Sequence, residues 1–332
     1  MKKWFMIVTI IAAIILISAY LMKPKEKIVI FHAGSLSIPF EDLSKEFEKK
    51  YGIVVIRQPA GSVATIKKVT ELGKRADVVA SADYRLIETM MEPDYADYCI
   101  KFAANKMVVA YTQKSHYSDE INGSNWYEIL ERNNVRIAFS DPNKDPCGYR
   151  SMMVIELASI YYGKDIFKEL LQQYLPVERR EENGSFEIII PPSNQMKSND
   201  KIMIRPMEID LMAALETGEI DYLFIYKSVA EQHGVKYVEL PLQIDLSSME
   251  YKENYSRVKV ILNDGNVVTG KPIVYGITIP KNAVNKKAAI QFLKMLLSEE
   301  GRKIIEKDGM VAIQPTADNK NLLPPAIKQY VK

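Results

Sequence analysis

Residues 28–37 read Ile28-Val29-Ile30-Phe31-His32-Ala33-Gly34-Ser35-Leu36-Ser37, an apolar run that passes directly into a small-residue turn. The run predicts a buried strand, and the turn places backbone and hydroxyl donors where that strand ends. Downstream, Phe40, Leu43 and Phe47 recur at three- and four-residue spacing between Pro39 and Gly52. That spacing predicts an amphipathic helix over 38–51, with proline in its first turn and glycine just past its end. Strand, serine turn and helix form one unit of an α/β sheet. In such sheets ligands bind beyond the carboxyl ends of strands, and a helix amino terminus offers free N–H groups and the positive end of its dipole. The turn therefore suits an anion.

The same grammar recurs along the chain. Residues 53–57 predict a strand, Pro59-Ala60-Gly61 a turn, and residues 62–72 a helix carrying Val63, Ile66 and Val69 on one side. Residues 77–80 predict another strand, ending in Ser81-Ala82-Asp83 before a helix over 84–91. Residues 106–111 read as a strand leaving this first lobe. The second lobe holds predicted strands at 136–139 and 221–226, helices at 149–162 and 208–216, and a hairpin around Asn263-Asp264-Gly265-Asn266. An apolar strand at 273–279 and an amphipathic helix at 286–297 bring the chain back. The expected class is α/β: mixed, mostly parallel sheets flanked by helices, in two lobes hinged by two crossover strands. Residues 28–112 with 276–332 form the expected lobe I, and 113–275 lobe II.

The 332 residues are 47% apolar and 26% charged, enough for a sizeable core. Forty-four basic against 42 acidic residues give a net charge of +2 without a basic stripe, so no nucleic-acid partner is expected. Cys99 and Cys147 are too few for a disulfide framework and lack metal-ligand spacing; they are expected to stay unpaired. At the amino terminus Lys2 and Lys3 precede an apolar segment from Trp4 to Met22, followed by Lys23, Lys25 and Lys27. Residues 1–27 read as a signal or membrane anchor. Ser18-Ala19 is a poor cleavage site and no cysteine lies near residue 20, so an uncleaved anchor is favoured over a cleaved signal or a lipoprotein. Either places the remaining chain on the extracellular side.

The turns that end strands in both lobes face one crevice. Gly34-Ser35 and Gly61-Ser62 each pair a glycine, which lets backbone approach a ligand, with a serine at a helix start. Across the crevice, Asp145-Pro146-Cys147 opens a helix with sound capping grammar, Glu208 opens another, and Tyr226 closes a strand. Each has a bland explanation as a cap or as packing. Cys147 has no histidine near it in sequence and suits a backbone donor better than a nucleophile. His32 is expected to be packed, His116 and His233 solvated, the run Glu178–Glu182 exposed, and Met90-Met91 and Met152-Met153 core.

In combination the turns are more specific. Phe31-His32-Ala33-Gly34-Ser35-Leu36-Ser37, Pro59-Ala60-Gly61-Ser62, Ala80-Ser81-Ala82-Asp83, Asp145-Pro146-Cys147-Gly148-Tyr149-Arg150 and Arg205-Pro206-Met207-Glu208 together resemble the archaeal molybdate/tungstate-binding proteins of ABC transporters. The resemblance runs from residue 28 to the end in order and spacing. It implies a type II periplasmic-binding-protein fold that holds an oxyanion between its lobes and delivers it to a membrane permease and its ATPase. It implies ligand-binding roles for Gly34, Ser35, Ser62, Asp145, Pro146, Cys147, Glu208 and Tyr226. No enzymatic activity and no cofactor are expected, and the chain is expected to act as a monomer held at the membrane through its amino-terminal segment. Family members are often lipid-anchored, and this chain lacks the cysteine for that.

The resemblance also gives the two acids a purpose. At about 4 Å and an effective dielectric of about 20, a carboxylate repels a dianion by several kcal/mol, so Asp145 and Glu208 would be poor partners for sulfate or phosphate. The centre of a tetrahedral oxometalate is a hard, high-valent metal that can accept further oxygen ligands. In the family, one Asp and one Glu are taken to make it six-coordinate, while serine hydroxyls, backbone N–H groups and the tyrosine hydroxyl bind the oxo groups without any Lys or Arg. Two alternatives stay open: a binding protein of the same fold for another ligand such as sulfate, iron or a polyamine, and an exported hydrolase using the two carboxylates as acid and base. An iron site calls for a tyrosine or histidine cluster, and a polyamine site for an aromatic box. The hydrolase has against it that both acids open helices of one lobe, amid neutral donors.

Overall fold

The computed structural model describes Trp4 and residues 26–332, so the apolar stretch 5–22 of the expected anchor lies outside the described residues. Among the described residues no helix is long and apolar enough to cross a membrane.

Strand β1 (Lys27–Ala33) lies inside a six-stranded sheet, parallel to β2 (Val54–Ala60) on one side and to β3 (Val78–Ser81) on the other. Its Ile28, Ile30, Phe31 and Ala33 are buried. This is the reason for the continuous apolar run: a strand covered by helices on both faces has no polar side to present. A short 3-10 turn, Gly34–Leu36, leads into the helix Ser37–Tyr51, which Gly52 closes at φ +70. Phe40 and Phe47 of that helix set their rings edge-on to Phe292, 5.8 and 5.4 Å between centroids, in the helix Lys286–Leu297. The returning chain thus packs on the first sheet, as its amphipathic pattern predicts.

Strand β4 (Ile100–Asn105) also belongs to this sheet, and the chain then crosses at Lys106 into β5 (Met107–Tyr111). The second sheet continues with β6 (Ile137–Ser140), after which β7 (Glu178–Glu182) and β8 (Ser185–Ile189) lie in a separate small sheet. Strands β9 (Ile202–Arg205), β10 (Tyr222–Tyr226) and β11 (Lys236–Glu239) return to the second sheet, in the order β11-β5-β10-β6-β9. The hairpin β12 (Val258–Ile261) and β13 (Val267–Thr269) joins the small sheet. The chain then recrosses to the first sheet, where β14 (Ile273–Thr278) and β15 (Val311–Ala317) complete the order β15-β4-β14-β3-β1-β2.

Three expectations differ in detail. Strand β2 continues through Pro59 and Ala60, opposite His32 and Ala33, where a turn was expected; β2 is an edge strand, and there a proline without N–H disrupts no ladder. Strand β5 pairs antiparallel to β10 and β11, so residues 107–111, within the expected lobe I, build the second sheet. Glu208 opens a 3-10 turn, Glu208–Leu211, ahead of a short helix Met212–Thr217, where one helix over 208–216 was expected. The charge-rich run Glu178–Glu182 is largely exposed, as expected, as an edge strand of the small sheet. Both cysteines are free and buried.

Candidate functional site

The turn after β1 and the turn before Met212–Thr217 meet face to face. A side-chain carbon on Gly34 would lie 3.2 Å from Glu208 Oε2 and 3.4 Å from Oε1, so the glycine lets this backbone come close to that carboxylate without displacing it. Glu208 is 1% exposed, and neither carboxylate oxygen has a hydrogen-bond partner among the described residues. Burial, and then the charge of Asp145, push its pKa well above the ordinary 4.5. A buried, unpartnered carboxyl is costly to keep unless something completes it.

Asp145 is placed by its own helix. It is the N-cap of Pro146–Tyr162, with Oδ1 accepting from the Cys147 N–H at 3.3 Å and Pro146 as the first helical residue. Its Oδ2 accepts from the Glu208 N–H at 3.0 Å, which ties the two acids together. The loop carrying Asp145 also meets the first-sheet side. The Lys144 carbonyl accepts from the Ala64 N–H at 3.4 Å, and a side-chain carbon on Gly61 would lie 2.3 Å from that carbonyl and 3.1 Å from Asp145 Cβ. Ser62 follows, buried, its Oγ accepting from the Ala82 N–H at 2.9 Å. Burial, with the charges of Asp145 and Glu208, raises the Cys147 thiol far from thiolate formation, so its place is that of a packed residue whose backbone N–H is capped by Asp145. Its Sγ lies 3.6 Å from the Phe224 carbonyl.

Tyr226 ends β10, fully buried, and its hydroxyl accepts from Arg150 Nη1 at 2.7 Å. The same nitrogen donates to the Ala82 carbonyl at 2.9 Å, and Nη2 stands 3.5 Å from Asp83 Oδ2. Tyr149 donates its hydroxyl to Asp83 Oδ2 at 2.8 Å. Burial alone would raise Asp83, yet Arg85 and Arg150 hold it below the ordinary carboxylate range. Ser35 Oγ receives the Tyr275 hydroxyl at 3.0 Å.

The structure links Gly34, Glu208, Asp145 and Cys147 in one chain of contacts and sets Gly61-Ser62 against Lys144-Asp145; Pro146 lies between Asp145 and Cys147, and Ser35 follows Gly34 with its hydroxyl on Tyr275. Tyr226 joins through Arg150 and Ala82. Sequence reasoning missed Asp83, Tyr149, Arg150 and Tyr275. Arg150 carried a signal: it is the one cation in a helix whose following residues, Met152 to Leu157, are apolar but for Glu156, and a lone cation on such a face must find a partner in the fold. An arginine thus stands behind Tyr226 where neutral donors alone were expected. His32 is buried as expected, with Nδ1 on the Ala33 carbonyl at 2.8 Å, and burial lowers its pKa to about 4, so it stays neutral. His116 and His233 are not simply solvated: their Nδ1 atoms lie 2.8 Å from Asp221 and 3.3 Å from Glu216.

Residues 28–311 match the family model described as bacterial extracellular solute-binding protein. The chain is 46% identical over 315 residues to the molybdate/tungstate-binding protein WtpA of Pyrococcus abyssi, covering 92% of this chain and 90% of that one. It is 45% identical over 314 residues to the protein of that name from Thermococcus kodakarensis, covering 92% and 87%. In fold it is similar to the periplasmic molybdate-binding protein of Azotobacter vinelandii, with a TM-score of 0.59 at 18% identity over 86% of this chain and all of that one.

Proposed function

This chain belongs to the bacterial extracellular solute-binding protein family, and from that membership we propose that it captures molybdate or tungstate between two lobes and hands the oxyanion to an ABC permease and its ATPase. Members of this family are solute-binding components of transporters and not enzymes, and the oxyanion is cargo, not a cofactor. The lobes are the first sheet with its helices and the second and small sheets with theirs, hinged at Lys106 and at 270–272. The site is Gly34, Ser35, Ser62, Asp145, Pro146, Cys147, Glu208 and Tyr226.

One observation carries the reading: among the described residues both oxygens of a buried Glu208 carboxyl lack a hydrogen-bond partner, directly opposite Gly34 and beside Asp145. A sulfate or phosphate in that place offers no centre that those oxygens could coordinate and, wherever Glu208 is ionised, would meet like charge at van der Waals range. An oxometalate brings a hard metal centre that takes those oxygens as ligands, while Ser35, Ser62 and Tyr226 hydroxyls and backbone N–H groups face its oxo groups. The amino-terminal segment, lysines flanking an apolar run, supports attachment to the outer face of the cell membrane, and the protein is proposed to work as a monomer. Titration calorimetry tests the reading: tungstate and molybdate bind tightly, sulfate and phosphate far more weakly. Equal affinity for sulfate overturns it.

A further inference from the structure

Three hydroxyls belong to the proposed site, and each one already accepts a hydrogen bond, two of them from a group that can only donate. Ser62 Oγ accepts from the Ala82 backbone N–H at 2.9 Å. The Tyr226 hydroxyl accepts from Arg150 at 2.7 Å, and a guanidinium has no acceptor. Ser35 Oγ is reached through a longer chain that begins at the hinge. Asn105, the last residue of β4 before the crossing, has its Oδ1 facing the Lys106 N–H at 3.0 Å and the Ser228 N–H at 3.4 Å. Two backbone donors on that atom fix which way the amide points. Its Nδ2 must then donate, to Ser228 Oγ at 2.7 Å and to the Tyr275 hydroxyl at 3.3 Å. Tyr275 is 0% exposed, so its proton needs an acceptor, and Ser35 Oγ at 3.0 Å is the one it has.

A serine hydroxyl carries one hydrogen. With its oxygen engaged by Tyr275, Ser35 has that hydrogen left for the site. We propose that Asn105 and Tyr275 are positioning residues which polarise Ser35 as a donor to the bound oxyanion, and that Arg150 and the Ala82 N–H do the same for Tyr226 and Ser62. This rests on the site reading above. Asn105 and Tyr275 lie on the two strands next to the crossings, β4 and β14, and Ser228 follows β10 of the second sheet. The relay thus links hinge geometry to the orientation of a ligand-binding hydroxyl. Donors oriented before the ligand arrives cost no reorganisation when it binds.

The test is a double-mutant cycle read by titration calorimetry with sodium tungstate, molybdate, sulfate and phosphate on the full chain. Tyr275→Phe keeps the ring and removes only the hydroxyl. It weakens binding of the anion the wild type prefers by about fivefold, the worth of one ordinary hydrogen bond. In a Ser35→Ala background the same change costs less than about twofold, because the group it acts through is gone. Equal losses in both backgrounds overturn the relay, since a merely structural tyrosine costs the same with or without Ser35. Failure of the wild type to bind any of the four anions overturns the parent reading instead. The relay is then read in the free protein by NMR: a slowly exchanging Tyr275 hydroxyl proton close to the Ser35 β-protons supports it, and a rapidly exchanging one overturns it.

Discussion

The Oδ2 atom of Asp145 accepts the backbone N–H of Glu208 at 3.0 Å, and the two acids share a site without sharing a condition. Both Asp145 oxygens are engaged, one by Cys147 and one by Glu208, whereas both Glu208 oxygens lack a partner among the described residues. Asp145 therefore holds the site together while Glu208 is held in it. The asymmetry makes opposite predictions for the two corresponding amides.

Glu208→Gln is nearly isosteric and removes a carboxyl whose burial is unfavourable. At pH 4.5 and below, where the carboxyl keeps its proton in the folded protein, the ligand-free variant should melt within about 0.5 kcal/mol of the wild type, the range of a change that breaks no contact. Tungstate affinity should fall by two orders of magnitude or more, about 3 kcal/mol, as for loss of a charged ligand at a buried site. Calorimetry and a circular-dichroism melt check both halves, and undiminished binding would return Glu208 to a helix-capping role.

Asp145→Asn leaves one of two N–H donors, Cys147 or Glu208, facing an amide NH2. Losing a cap of this kind costs about 1–2 kcal/mol, so urea unfolding of the ligand-free variant should show a lower midpoint with an unchanged slope. A variant as stable as the wild type would mean that neither hydrogen bond matters to the fold.

The raised Glu208 pKa gives binding a proton signature. Burial and Asp145 hold the proton on Glu208 above the ordinary carboxylate range, and coordination to a metal centre requires it to leave. Tungstate binding should release a proton, so its apparent enthalpy should vary with the ionisation enthalpy of the buffer, and Glu208→Gln should abolish that variation. For stability the sign follows from the same shift. A carboxyl raised in the folded state contributes stability in full below its ordinary value of 4.5, and that contribution is lost as pH rises towards the folded value. Glu208→Gln should therefore flatten the decline in stability of the ligand-free protein on the alkaline side.

The strand-turn-helix unit at the head of the chain was legible because burial on both faces of a parallel strand leaves an unmistakable run, Ile28 to Phe31, and because Pro39 and Gly52 bracket the helix after it. The convergence of Gly34, Ser62, Asp145 and Glu208 was legible only in the ordered combination of several turns. No single turn distinguishes a ligand donor from a helix cap, since Asp145 is a cap as well. The Asp83–Tyr149–Arg150–Tyr226 network was not legible, because its bonds join residues 66 to 76 positions apart and depend on how two sheets face each other. Which sheet takes residues 107–111 was not legible for a similar reason: the run 106–111 reads as a strand either way, and only the partners of β5, β10 and β11, say which sheet owns it.

Closure itself can be tested at Gly61. This glycine has an ordinary φ of −57, so alanine fits its backbone without strain, and the ligand-free protein should fold normally. A methyl there would lie 2.3 Å from the Lys144 carbonyl and 2.9 Å from its carbon, closer than any real contact, and backbone on the opposing side cannot rotate away as a side chain would. The collision exists only when the turn after β2 and the loop after β6 are together. Gly61→Ala should therefore leave the melting curve of the free protein unchanged while pushing the population towards the open form. Small-angle scattering should show a larger radius of gyration that tungstate no longer reduces to the wild-type value. Affinity should fall tenfold or more, since each 1.4 kcal/mol of strain in the closed form is a factor of ten. Unchanged affinity would mean that the ligand binds without bringing Gly61 and Lys144 together, and that the clamp described by the Gly34–Glu208 contact closes on one side only.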